Sequence, residues 1–297
     1  MSTRLAKAVV LTAAILLVVG CGSGPSPSPV SSTHPTAPAT PSPSPSTAPA
    51  QLLLKVTTEG GFINPSATLA ALPSVAVYAD GRILTPAVVA ADPPPLLTPI
   101  DVRDVGPAGA TAILAAIRAA GLDKASSAGP GIPGDSGTSV FTAVVDGATT
   151  TTRFSGGGQP VPGRPGQSGG GDPAQAAALG LLARLTDPSE NWGSTAAHQS
   201  TFVPLGYRVY VGPGVTTPGA SDQPAIPWPL VTPLDTFGTA AVPDRGVAGL
   251  RQGVVLGADA ALLTPVLHSA NALSTFSSGG KSHSLWVRPL LPDEIGG

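Results

Sequence analysis

All 12 aromatic residues lie after Ala50, and this uneven distribution limits where a hydrophobic core can form. The preceding 29 residues, 22–50, contain 9 prolines, 12 serines or threonines and no Asp, Glu, Lys or Arg. Such a segment buries too little apolar surface to offset the entropy that ordering removes. We therefore predict a disordered spacer that follows Cys21 and runs through residues 22–50, and a folded domain over residues 51–297.

The spacer has a predicted mechanical role. Repeated Ser-Pro steps, as in residues 42–45, favour extended polyproline II. At about 3.1 Å per residue, the segment could reach roughly 90 Å. Its Ser/Thr-Pro composition is also typical of O-glycosylated stalks. We expect it to hold the domain away from a membrane.

The amino terminus has the pattern of a secretory signal. Arg4 and Lys7 precede an apolar run over residues 8–19, which small residues then follow. A run of about a dozen residues is too short to span a bilayer of about 30 Å as a helix. A charged start, an apolar middle and a small-residue end are typical of a signal peptide. We therefore predict a signal peptide over residues 1–20.

The end of this segment carries a more specific signal. Val18, Val19, Gly20 and Cys21 resemble the lipobox of bacterial lipoprotein precursors. In that family the cysteine thiol receives diacylglycerol, and the peptide is cut just before it. The resemblance implies that Cys21, the only cysteine of the chain, is lipidated and begins the mature protein. The implied location is the extracytoplasmic face of the cell membrane, where several acyl chains such as palmitate give stable anchoring.

Charge and cysteine content argue against several function classes. The chain has 15 basic and 17 acidic residues, so it has no basic surplus with which to neutralise nucleic-acid phosphates. A single cysteine excludes a disulfide scaffold, a structural zinc cluster and an iron–sulfur site. We expect no nucleic-acid partner and no cofactor.

Two Asp-Gly steps predict β-hairpins, because this dipeptide permits the positive φ of a tight turn. The flanking strands are predicted over residues 75–78 and 82–84, and over residues 138–145 and 148–155. Further strands are expected over residues 51–58, 100–105, 205–211, 254–256 and 283–287.

Three helices are also indicated. Pro107 suits the first turn of one helix, and Gly121 can end it. Asp172 and Pro173 begin a second, in which Ala178, Leu181, Leu182 and Leu185 form an apolar stripe. Asp259 begins a third, which Pro265 is expected to kink or interrupt.

This order of elements predicts an α+β fold, with an antiparallel sheet and about three helices on one side. The glycine-rich stretch over residues 155–171 is predicted to be a disordered loop.

No catalytic or metal site is predicted. Gly134-Asp135-Ser136-Gly137 copies the nucleophile region of trypsin-like proteases, but the only preceding histidine, His34, lies in the spacer. The other three histidines, His198, His268 and His283, lack metal-site spacing. A cleft that gathered one of them with Asp and Ser would favour an enzyme.

Pro227-Trp228-Pro229 is the most distinctive aromatic motif. An exposed tryptophan held between two prolines could stack on a sugar or a peptide, so Trp228 is a candidate binding residue. The alternative is that Trp228 fills the core beneath a loop.

Three short motifs join the lipobox in a wider resemblance: residues 78–82 (YADGR), 257–260 (GADA) and 288–294 (RPLLPDE). Together they resemble uncharacterised lipoproteins of actinobacterial cell envelopes, and that family supplies no site residues. The first hypothesis is an anchored, non-enzymatic module that binds an envelope protein or wall component. The alternatives are an envelope hydrolase with a non-local active site, and a transporter-associated solute-binding lipoprotein.

Overall fold

The computed structural model divides the chain into two units, Met1–Ser46 and Thr47–Gly297. It describes residues 50–60, 68–124, 137–155, 172–194, 197–214, 223–241 and 248–295, all in the second unit. A chain that begins at Gly22 therefore retains all of them.

Seven strands form the first sheet, in the order β6-β5-β1-β2-β3-β4-β7. Every neighbouring pair is antiparallel. The strands are β1 (Leu52–Glu59), β2 (Val75–Tyr78), β3 (Arg82–Pro86), β4 (Ile100–Asp104), β5 (Thr138–Val145), β6 (Ala148–Ser155) and β7 (His198–Thr201). Both predicted Asp-Gly hairpins are present, because each turn is encoded by residues adjacent in the chain.

Two helices, α1 (Gly106–Ala119) and α2 (Pro173–Thr186), pack on one face of this sheet. The α2 helix begins as predicted, because the Asp172 carboxylate accepts a hydrogen bond from the Ala174 amide at 2.9 Å. All four residues of its predicted stripe are buried. Buried Arg103 on β4 donates to the carbonyl oxygens of Leu185, at 2.6 Å, and Asp187. This guanidinium therefore fixes the end of α2 to the sheet.

Six strands form the second sheet, in the order β10-β11-β8-β13-β12-β9. They are β8 (Gly206–Pro213), β9 (Ile226–Pro227), β10 (Thr239–Ala240), β11 (Arg251–Leu256), β12 (Thr275–Ser278) and β13 (Lys281–Pro289). Only β9 and β12 run parallel among these described pairs. The fold is thus α+β as predicted, with its strands in two sheets where the sequence suggested one.

Helix α3 (Gly257–Ser269) packs on one face of the second sheet. The predicted helix is present, and Pro265 lies inside it without interrupting it. Pro265 is exposed, so its ring faces solvent without disturbing the packed side of the helix. On that packed side, Leu263 and Leu267 are fully buried, and the Tyr207 hydroxyl contacts Thr264 Oγ1 at 2.7 Å.

Residues that follow β13 connect the two sheets. Asp293 accepts hydrogen bonds from Lys55 Nζ and from the Tyr78 hydroxyl, both at 2.7 Å, and both donors belong to the first sheet. Glu294 pairs with Arg288 of the second sheet through two bonds of 2.6 Å. Burial raises the pKa of Glu294, but the hydrogen bonds from Arg288 and the Leu291 amide lower it more, so the net shift is downward. This short segment therefore carries two carboxylates, one bonded to each sheet.

The predicted signal peptide, lipobox and spacer before Ala50 lie outside the described residues. So do Ser136 and residues 156–171 of the predicted glycine-rich loop. In the part of the chain that is described, no helix is long and apolar enough to cross a bilayer.

Candidate functional site

A cleft of about 420 Å³ lies at one end of the second sheet, where β8 finishes and β13 begins. Its position follows from the strand register, which pairs Pro213 with His283 and Val211 with Arg251. Directly paired residues point to the same face of a sheet. The described lining residues are Val211, Gly212, Pro213, Leu234, Asp235, Ala248, Gly249, Arg251 and His283.

The segment between β9 and β10 forms one wall of the cleft. It packs on the sheet through Trp228, Leu234 and Phe237, which are all buried in the same core as α3. A side chain at Gly253 would collide with the Phe237 ring, so the glycine allows the segment to lie close against β11. The Leu234 amide donates to Ser278 Oγ at 3.1 Å. These contacts fix a short 3-10 turn, Leu234–Thr236, that presents Asp235.

Asp235 lies beside two nitrogen-bearing side chains from β13. Lys281 Nζ donates to Asp235 Oδ2 at 2.7 Å, and His283 Nε2 lies 3.5 Å from Oδ1. The hydrogen bond from Lys281 holds the pKa of Asp235 below its usual range, with smaller contributions from His283 and Arg251. The carboxylate is therefore ionised at neutral pH, and Lys281 offsets its charge.

His283 is the most informative residue of the cleft. It is 6% exposed, and its Nε2 makes no hydrogen bond to any described residue. Buried polar atoms almost always have a partner, and water or a ligand supplies one where protein does not. Since His283 lines the cleft, a molecule in the cleft could provide this partner.

Arg251 supplies a fixed positive charge. Its Nε donates to the Phe237 carbonyl oxygen at 2.8 Å, and its Nη2 donates to the Gly238 carbonyl oxygen at 2.9 Å. Backbone carbonyls orient a guanidinium without neutralising it. Among the described residues, Arg251 has no carboxylate partner within ion-pair distance.

Trp228, the predicted binding residue, lies in the core behind this wall. It is 9% exposed, its indole N–H donates to the Thr232 carbonyl oxygen at 2.9 Å, and its ring meets Phe237 edge-on at 5.9 Å. This environment matches the alternative in which Trp228 fills the core. A stacking role stays a prediction, and it would require the ring to become exposed.

The three histidines of the domain are dispersed. His198 on β7 and His268 near the end of α3 are exposed, whereas His283 lies in the cleft. Within the described ranges, no three His, Cys, Asp or Glu residues are grouped so that they could hold a metal ion. Sequence reasoning did not identify Asp235, Arg251 or Lys281 as site residues. The sequence did contain one signal that His283 is buried, because this residue alternates with Leu285 and Val287 on the apolar side of β13.

Two motifs of the family resemblance meet in space, away from the cleft. Tyr78 from the first motif donates to Asp293 from the last. Burial, followed by the Asp293 charge, raises the pKa of Tyr78 far above its ordinary value, so the hydroxyl keeps its proton. These motifs connect the two sheets and therefore have a structural role.

Comparisons with protein-family models, curated proteins and solved structures found no match to this chain.

Proposed function

We propose that the chain is a lipoprotein anchored through Cys21 on the extracytoplasmic face of the cell membrane, and that its folded unit binds a small molecule in the cleft. The observation that carries the binding proposal is His283, a buried side chain in a mainly apolar cleft whose Nε2 makes no hydrogen bond to a described residue and has only a 3.5 Å contact with Asp235. A volume of about 420 Å³ lies within the range of about 300–1,000 Å³ typical of small-molecule sites.

Two features support anchoring. The lipobox-like residues 18–21 end in the only cysteine of the chain, and a spacer without charged residues follows them. Such a spacer would carry the folded unit away from the bilayer. A ligand-binding domain placed in this way could capture an envelope component or a solute near the membrane surface.

Binding is preferred over hydrolysis because of the chemistry of the cleft wall. The nine described lining residues include an acid, a histidine and an arginine, but no serine, threonine or cysteine that could act as a nucleophile. Ser278, the nearby hydroxyl, accepts a hydrogen bond from the Leu234 amide and supports the wall. Asp235 and His283 would therefore contact a ligand.

Anchoring is tested by fractionating cells that express the wild type or Cys21→Ser. We expect the wild type in the membrane fraction with a diacylglycerol adduct on its amino-terminal peptide, and the variant outside that fraction. Ser23→Ala, two residues away, is the matched control and should behave as the wild type. Equal distribution of the wild type and Cys21→Ser would contradict lipid anchoring.

Binding is tested by native mass spectrometry of residues 22–297 after exposure to a small-molecule envelope extract. We expect a mass adduct on the wild type that is lost in Ala248→Trp, because an indole at this exposed rim position would occupy the cleft. Val231→Trp introduces the same side chain at a fully exposed residue that does not line the cleft, and should keep the adduct. Adducts that survive Ala248→Trp would refute binding in the cleft.

A further inference from the structure

We infer that the cleft selects a molecule with one anionic head group and an apolar body. This inference rests on the proposed binding function and adds the chemical class of the ligand. The apolar part of the prediction comes from Val211, Pro213 and Leu234, which are among the residues that line the cleft. The anionic part comes from the balance of charges among the described residues.

Among the described residues, the charge balance around the cleft is positive. Lys281 and Asp235 offset each other through their 2.7 Å contact, whereas the Arg251 guanidinium is held only by carbonyl oxygens. One positive charge, that of Arg251, therefore remains among these described groups.

The donors also suit an anion. His283 Nε2 can donate when that nitrogen carries the proton, and it makes no hydrogen bond to a described residue, although Asp235 Oδ1 lies 3.5 Å away. A carboxylate or a similar head group accepts such bonds, and bonds to ionised groups are roughly twice as strong as neutral ones. An anion at this position would accept the hydrogen bond that Asp235, at 3.5 Å, does not accept.

Asp235 limits the ligand to one negative charge. Its Oδ1 lies 3.5 Å from His283 Nε2, so a head group bound to that nitrogen lies close to an ionised carboxylate. A second negative charge would meet this repulsion, because Lys281 is bonded to the other oxygen. The cleft should therefore bind monoanions better than dianions.

The test compares four probes that share a six-carbon chain: hexanoate, 1-hexanol, hexylammonium and hexanedioate. Methyl-labelled residues 22–297 are titrated, and the Val211 and Leu234 methyl resonances report occupation of the cleft. We expect hexanoate to bind at least about tenfold more tightly than the alcohol or the amine, which is the effect of one charge-assisted hydrogen bond. Hexanedioate should bind more weakly than hexanoate.

Two variants separate charge from folding. Arg251→Gln should reduce hexanoate affinity about tenfold more than it reduces hexanol affinity. Because Arg251 also bonds to the cleft wall, its replacement could disturb folding. Asp235→Asn is therefore the second variant, since we expect it to increase hexanoate affinity, and unfolding cannot increase affinity. This variant should raise the affinity for hexanoate several-fold.

The outcomes distinguish the two proposals. Equal binding of hexanol or hexylammonium, or no gain in Asp235→Asn, would overturn the charge selection and leave a general ligand cleft. If none of the four probes shifts the cleft methyls, the anionic class is wrong. If, in addition, Ala248→Trp retains the extract adducts, the proposed binding function fails as well.

Discussion

The hydroxyl of Tyr78 allows a sharp test of the connection between the two sheets. The side chain is fully buried, and its hydroxyl donates to Asp293 Oδ1 at 2.7 Å. Tyr78→Phe removes this donor and keeps the ring, so little packing is lost. The change in free energy of unfolding therefore reports mainly the hydrogen bond to the carboxylate.

The expected magnitude follows from the charge of the acceptor. Hydrogen bonds to charged groups contribute about 1.5–3 kcal/mol, against about 1 kcal/mol for neutral ones. The Asp293 side chain is 14% exposed and keeps its contact with Lys55. We therefore expect Tyr78→Phe to cost about 2 kcal/mol, in the lower part of the range for charged groups.

Tyr207→Phe is the matched control. Tyr207 is also fully buried, and its hydroxyl lies at the same 2.7 Å from a neutral partner, Thr264 Oγ1. The two variants remove the same atom from the same residue type at the same burial. We expect Tyr207→Phe to cost about 1 kcal/mol.

The assay is urea unfolding of residues 22–297, with the free energy obtained by linear extrapolation. A double-mutant cycle with Asp293→Asn completes the design, because a neutral amide should reduce the effect of Tyr78→Phe towards that of Tyr207→Phe. The reasoning is refuted if Tyr78→Phe is no more destabilising than Tyr207→Phe. It is also refuted if the effect is undiminished in the Asp293→Asn background.

Three further predictions concern single residues. Hydrogen bonds from Arg288 and the Leu291 amide overcome the effect of burial and lower the pKa of Glu294, so they stabilise the fold above the ordinary pKa of 4.5. That contribution is lost as pH falls through the lowered pKa. Glu294→Gln should therefore make the free energy of unfolding fall less steeply with decreasing pH below pH 4.5, and an unchanged slope would contradict this. Trp228→Ala should cost about 3–5 kcal/mol in urea unfolding, as for a core residue; a small change with loss of ligand binding would instead support stacking. Pro265→Ala should stabilise the fold by about 1–3 kcal/mol in thermal unfolding, because it restores a backbone donor at an exposed helical position; a lower melting temperature would contradict this.

Elements encoded by neighbouring residues were predictable from the sequence. The Asp146-Gly147 hairpin has the predicted strand bounds, because its turn chemistry and strand propensity are both local. Strand β7 was missed, because the four residues of His198–Thr201 are polar and exposed, and only its pairing with β4 makes it a strand. The division into two sheets depends on such distant pairings, so the order of local elements could not reveal it.

The cleft was harder to predict for the same reason. Asp235 and His283 are 48 positions apart, and their proximity depends on the pairing of β13 with β8 and on the packing of residues 226–238. The sequence did place His283 on an alternating apolar strand, which marks a buried histidine. It contained no local signal that Asp235 would face it.

Trp228 packs in the core beneath the cleft wall and is not among the described residues that line the cleft. Helix α3 covers the Tyr207 end of β8, and the segment that carries Asp235 covers the Val211 end, with Trp228 and Phe237 beneath it. Trp228→Ala should therefore weaken ligand binding indirectly, by loosening the wall that presents Asp235. Trp228→Phe keeps an aromatic ring in the core and should retain hexanoate affinity, with only the N–H bond to Thr232 lost. If Trp228→Phe folds normally but loses binding, the indole contacts the ligand directly, and Trp228 is a binding residue.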